Sequence, residues 1–153
     1  MLTLASNAPS VPEPKPTAER TGKLTDAERE RLLQAARVML DRAYAPYSNF
    51  HVGAAVLTEG GAIYTGCNVE NASYGLTICA ERSAISAAVA AEGAGMRLRA
   101  VLVLNGNNAP CSPCGACRQV IYEFGPHATV IYQGRGSLEE ATATQLLPAG
   151  FTL

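Results

Sequence analysis

Glu81 and Arg82 are the only charges between Ile78 and Ala91, a stretch that is otherwise small and mostly apolar, and they directly follow Cys79. Burying a charge is costly unless something specific pairs with it. Further along, Cys114 and Cys117 form a C-x-x-C followed by "RQVIYEF", and Cys111 precedes them in "CSPCGAC". Thiolates are soft metal ligands, and zinc takes them readily. Three thiolates around zinc leave a fourth position for water, the arrangement of a catalytic site, and a nearby carboxylate is then a candidate proton carrier. A structural site would normally close with a fourth Cys or His, a place Cys111 is available to fill. That reading leaves Glu81 without a purpose.

These residues need elements to bring them together. Thr25 and Glu28 read as a capping box, with Leu24 as the staple. Leu33, Ala36, Leu40 and Ala43 then recur at helical spacing until Pro46 ends the run. "HVGAAVLT" (51–58), the turn "EGGA" and "IYTGCNV" (63–69) read as a hairpin. The loop "NVENASYGLT" follows, then a buried helix from about Ile78 to Ala91. "LRAVLVLN" (98–105) is a continuous apolar run, as expected of a strand covered on both faces. A short helix starts near Cys114, and "ATVIY" (128–132) is a further strand. Residues 137–147 are compatible with an edge strand, a helix, or one then the other. The order of elements predicts an α/β layered sheet. Cys79 and Cys114 both fall at helix starts, where the positive ends of the helix dipoles favour thiolates.

Composition limits the alternatives. The chain has 153 residues and a formal net charge of -1, which suits one domain and offers no nucleic-acid footprint. Both lysines, Lys15 and Lys23, precede the expected folded part, so a catalytic lysine in the core is excluded. There are only two aspartates and two histidines, few parts for a Ser-His-Asp site. His51 reads as a strand residue facing solvent, and Cys67 as a small buried hydrophobe. Residues 1–23 hold four prolines between Pro9 and Pro16 and read as a Pro-rich, disordered tail before a domain spanning 24–153. No apolar run suits a membrane span, and the N-terminus lacks a secretory pattern. Five cysteines, clustered and odd in number, point to metal or catalysis before disulfides, with the cytoplasm as the default location.

"FHVGAA" (50–55), "GCNVENASYG" (66–75), "CAER" (79–82), "PCGACRQ" (113–119) and "LLPAGF" (146–151), in this order, closely resemble the blocks of the cytidine deaminase family. The resemblance runs from about Leu24 to Phe151. Zinc deaminases as a group carry a glutamate that is not a ligand beside the first ligand, and a later P-C-x-x-C. The resemblance implies a three-layer α/β/α sandwich around a mixed five-stranded sheet. It implies one zinc ion per subunit on Cys79, Cys114 and Cys117, with Glu81 as proton shuttle. It implies substrate contacts from Phe50, Asn68, Glu70, Ala72, Tyr74, Ala80 and Phe151. Cysteine as first ligand is similar to the small homotetrameric branch, whose sites are shared between subunits; Tyr74 and Phe151 would reach into a neighbour. Arg82, donating to the thiolate sulfurs, would offset the excess negative charge of three thiolates on one zinc.

The implied reaction is hydrolytic deamination of cytidine and deoxycytidine, in pyrimidine salvage. Two readings of other classes stand beside it: a thiol-redox protein using Cys114 and Cys117, and a structural zinc module that binds a partner through the Pro-rich tail. Deamination of an aminocytosine antibiotic or of a nucleotide is a nearer alternative. Arg82 favours the nucleoside, and few basic residues are present to hold a phosphate.

Overall fold

A computed structural model describes residues 23–153. The Pro-rich tail expected over 1–23 falls, apart from Lys23, outside the described residues. The elements run α1 (Asp26–Leu40), β1 (Val52–Thr58), β2 (Ile63–Cys67), α2 (Ala80–Glu92), β3 (Leu98–Asn105), α3 (Gly115–Phe124), β4 (Thr129–Gln133), β5 (Leu138–Thr142) and α4 (Ala143–Leu146). The sheet order is β2-β1-β3-β4-β5. β3 and β4 pair in parallel, and the other neighbours are antiparallel. The mixed five-stranded sheet is thus as expected.

Alternation along the strands builds the layers, because successive side chains point to opposite faces. Ala54 and Val56 of β1, with Val101 and Val103 of β3, face a core completed by Ala84, Ile85 and Ala88 of α2 and Ile121 of α3. Ala55, Leu57, Leu102 and Leu104 face the other way, onto Leu32 and Ala36 of α1. Helices therefore cover both faces, and β1 is buried at every position.

The capping box of α1 forms as read: Thr25 Oγ1 accepts from the Glu28 amide, and Glu28 accepts from the Thr25 amide. The helix is shorter than its periodicity suggested. It ends at Leu40, and the Arg42 and Ala43 amides turn back to the Met39 and Leu40 carbonyls. Ala43 therefore lies beyond it, because the chain leaves to pair Tyr44 with Val69. Leu32, fully buried, is a core contact that the expected stripe omitted.

Other expectations need correction. His51 is not a solvent-facing strand residue: the strand begins at Val52, and His51 Nδ1 lies 3.1 Å from the Leu40 carbonyl oxygen, closing the end of α1. Cys67 is half-buried, its thiol donating to the Arg42 carbonyl. α2 begins at Ala80, and it is not engulfed: Ala80, Glu81, Ala84, Ile85 and Ala88 form one buried stripe, while Ser86, Ala87 and Ala90 are exposed. Residues 137–147 resolve as strand then helix, the switch marked by a second capping box between Thr142 and Gln145.

Candidate metal centre and active site

Close approach of α2 to the sheet sets the first ligand. A Cβ on Gly66 of β2 would run into the backbone of Ala80 and Ala84, so only glycine lets the first turns of α2 lie against that strand. Ahead of the helix, Val69 and Ile78 exchange backbone hydrogen bonds of 2.9 and 3.0 Å. Cys79 is consequently held as the N-cap of α2. Cys114 is the N-cap of α3, and Cys117 lies in its first turn. The ligand atoms of these three cysteines lie within 4.8 Å of one another, with Cys79 and Cys114 Sγ 3.8 Å apart. Unpaired first-turn amides of both helices provide a positive potential at the cluster.

Ionisation follows from this packing. The Cys117 thiol donates to Cys79, and the Arg82 guanidinium adds a second bond, so Cys79 is lowered to about 5. The same bond, with burial, pushes Cys117 well above the ordinary thiol range. Glu81 is 4% exposed, and burial raises its carboxyl to about 7. It is therefore poised to hold or release a proton near neutral pH, the range in which a shuttle works best. Arg82 Nη2 donates to the Thr77 carbonyl at 3.0 Å and to Cys79 Sγ at 3.7 Å. Its bond to Cys79, followed by the charges of Cys79 and Cys117, raises its already high pKa.

Three clustered sulfurs, with no fourth Cys or His in the group among the described residues, suit zinc with one open position. Among the described residues, Cys111 stands outside the cluster. Its backbone is tied to Gln133 by a 2.7 Å hydrogen bond, and burial pushes its thiol up to about 11. Cys114 is exposed, as a redox pair would require, but Cys117 is buried and Cys79 crowds the pair.

A cleft of about 270 Å³ is lined by Tyr47, Ser48, Glu70, Tyr74 and Thr77, the last of which accepts from Arg82. Glu70 accepts hydrogen bonds from the amides of Tyr47 (2.9 Å) and Ser48 (3.3 Å) and from the Ser48 hydroxyl. The hydroxyl bond is the main reason its carboxyl is lowered. Asn68 accepts from the Val52 amide and donates to the Phe50 carbonyl, bracing the segment that carries Phe50. Phe50 packs against the core cluster to which the fully buried Ala80 belongs. Ala72 lies in the exposed loop before Tyr74. Tyr74 and Phe151 are 75% and 65% exposed, and Tyr47 stacks at a tilt on Tyr74, ring centroids 6.0 Å apart. The sequence reading missed Tyr47 and Ser48 as the cradle of Glu70, and Thr77 as the partner of Arg82. For Tyr47 and Ser48 the only signal is the run of small and polar groups in "APYSNF", which does not say what it faces.

Residues 26–133 match the family model described as the cytidine and deoxycytidylate deaminase zinc-binding region. The chain is 45% identical over 126 residues to cytidine deaminase of Sporosarcina psychrophila, covering 80% of this chain and 90% of that protein. It is 45% identical over 127 residues to cytidine deaminase of Halalkalibacterium halodurans, covering 82% and 95%. Among solved structures, cytidine deaminase from Burkholderia pseudomallei is similar at 46% identity with a TM-score of 0.71, over 80% of this chain and 98% of that one.

Proposed function

The chain belongs to the cytidine and deoxycytidylate deaminase family, and from that premise we propose that it hydrolyses cytidine and deoxycytidine to uridine and deoxyuridine, releasing ammonia, with Glu81 as the proton shuttle. The observation that carries this reading is the three-sulfur cluster of Cys79, Cys114 and Cys117 with the buried Glu81 in the first turn after Cys79. The enzyme is a zinc-dependent hydrolase with one zinc ion per subunit, and Cys79, Cys114 and Cys117 are the residues that would hold it. Bound there, zinc supplies Lewis-acid activation of water at neutral pH.

The residues of the chain account for the rest. Glu81 accepts a proton from the attacking water and delivers it to ring N3, which makes C4 electrophilic. Oxygen adds to C4. Glu81 then takes the proton of the new C4 hydroxyl and passes it to the amino nitrogen; the C4–N bond breaks as the C4 carbonyl forms, and ammonia leaves. One carboxyl serves first as base and then as acid. Arg82 offsets negative charge at Cys79 and fixes the approach to the cluster through Thr77. The Ala80 amide meets the pyrimidine carbonyl. Phe50 packs on the nucleoside, while Asn68 and Glu70, oriented by their own backbone contacts, meet the ribose hydroxyls. Ala72 and Tyr74 line the rim.

Residues 24–153 form the catalytic domain in this reading, and four copies assemble with shared sites. Leu76 and Ile78, 65% and 44% exposed, are like Tyr74 and Phe151 large apolar side chains left open to water, which a neighbouring subunit would cover. Tyr74 and Phe151 of one subunit then complete the site of another. Among the described residues no helix is long and apolar enough to cross a membrane, and cytoplasmic pyrimidine salvage is the matching role.

Zinc content measured together with ultraviolet-monitored deamination of cytidine, deoxycytidine and the monophosphate tests the proposal. One zinc per subunit with turnover of the nucleosides is expected. A protein lacking stoichiometric zinc, or one loaded with zinc and inert on both nucleosides, would overturn it.

A further inference from the structure

The segment after α4 is held in an uneven way. Arg118 of α3 donates from Nη1 to the Leu146 carbonyl at 3.1 Å and from Nε to the Pro113 carbonyl at 2.8 Å. One residue on, Gln119 Nε2 donates to the Phe151 carbonyl at 2.8 Å. One turn further, Tyr122 lies so close to Gly150 that a Cβ there would be 2.6 Å from its ring. Positions 118, 119 and 122 of one helix therefore grip the backbone from Leu146 to Phe151. The Phe151 ring receives no comparable hold and remains 65% exposed. A hydrophobic plug would show the reverse, with a buried ring on a loosely held backbone.

We infer that Gln119 is a positioning residue for substrate binding, setting where the Phe151 ring stands over the neighbouring subunit's pyrimidine. This rests on the reading that Phe151 completes a neighbour's site. Because α3 also carries Cys117, two residues before Gln119, the ring is placed relative to the helix that contributes to the sulfur cluster. Arg118 reinforces the grip but also touches the loop before Cys114. Gln119 makes its side-chain hydrogen bond to Phe151 alone among the described residues, so it is the cleaner test.

The experiment uses the full-length protein with one zinc per subunit confirmed for each variant. Gln119→Leu removes the donor at similar size, and Gln119→Glu replaces it with an acceptor that a carbonyl repels. Both should raise KM for cytidine about two- to tenfold, the effect of losing one hydrogen bond, with kcat within about twofold of the parent. In a Phe151→Ala background, Gln119→Leu should change KM no further, because the two residues act as one unit. If Phe151→Ala raises KM and Gln119→Leu does not, the positioning role is overturned while the shared site stands. Additive effects in the double variant, or a fall in kcat matching the rise in KM, also overturn it. If Phe151→Ala itself leaves KM unchanged, the shared-site reading fails and the role of Gln119 fails with it.

Discussion

Arg82 bridges Cys79 and the residue two before it: Nη2 lies 3.7 Å from the Cys79 sulfur and 3.0 Å from the Thr77 carbonyl oxygen. One guanidinium group thus meets both a candidate ligand and the backbone that leads into α2. Among the described residues its buried Nε has no hydrogen-bond partner, so this placement is kept at some cost. The cation's benefit to the neighbouring thiolate is the compensating interaction.

Replacing Arg82 by Gln should lower activity roughly ten- to a hundredfold, the usual range for groups that support metal ligands. It should also move the acidic limb of the pH–rate profile to higher pH. Loss of a positive charge leaves the cluster more negative, so ionisation beside it becomes harder. An unchanged profile in a zinc-loaded variant would sink the charge-balance account, even if total activity fell.

Glu81→Gln should keep the fold and the zinc yet reduce kcat by about 10²- to 10⁴-fold, the contribution typical of a positioned acid–base group. The amide matches the carboxyl in shape but cannot carry the proton. The reading is falsified if the zinc-loaded Glu81→Gln protein turns over cytidine at a substantial fraction of the parent rate.

Deleting residues 151–153 should raise KM for cytidine while each subunit stays folded and zinc-loaded. The stacking of a base on an aromatic side chain is worth roughly 1–3 kcal/mol in nucleic-acid binders, which would appear as about a five- to 150-fold change. Mixing the truncated chain with the Glu81→Gln chain is the sharper test. Hybrid oligomers would set an intact Phe151 of one chain over an intact Glu81 of another and restore activity. If exchange of subunits is demonstrated and no activity returns, the shared-site claim fails.

The Glu28–Arg99 pair gives a stability test away from the site. Arg99 bonds Glu28 at 2.5 and 3.1 Å, and the Arg99 and Glu28 side chains are 12% and 19% exposed. The Arg99 bond, followed by the Thr25 amide, lowers the Glu28 carboxyl from 4.5 to about 2. Its folded value lies below its unfolded value, so its stabilisation is complete above the unfolded value and is lost as pH falls towards 2. Glu28→Gln should therefore melt at lower temperature than the parent at neutral pH, with the gap narrowing in acid. A gap independent of pH would show that packing, not the charge, holds the cap to the sheet.

Local parts of the molecule were readable from residue order. The Thr25–Glu28 capping box, the hairpin, the doubly buried β3 and the start of α3 near Cys114 were legible because capping and periodicity are properties of neighbouring residues. So was the suspicion attached to Cys79, Glu81 and Arg82, since charges in an apolar helix require partners wherever the helix lies. The second capping box, Thr142 to Gln145, was equally legible and would have divided residues 137–147 correctly. Which groups share a space was settled only by packing in three dimensions. Sheet order brings the N-termini of α2 and α3 together, and the bond from Cys111 to Gln133 keeps a fourth thiol out of the cluster. Glu70 acquired its cradle only when Val69 paired with Tyr44. Phe151 became an exposed ring on a gripped backbone only when Gln119 and Tyr122 lay beside it. Such contacts join residues far apart in sequence, and composition and spacing carry no record of the angle at which their elements meet.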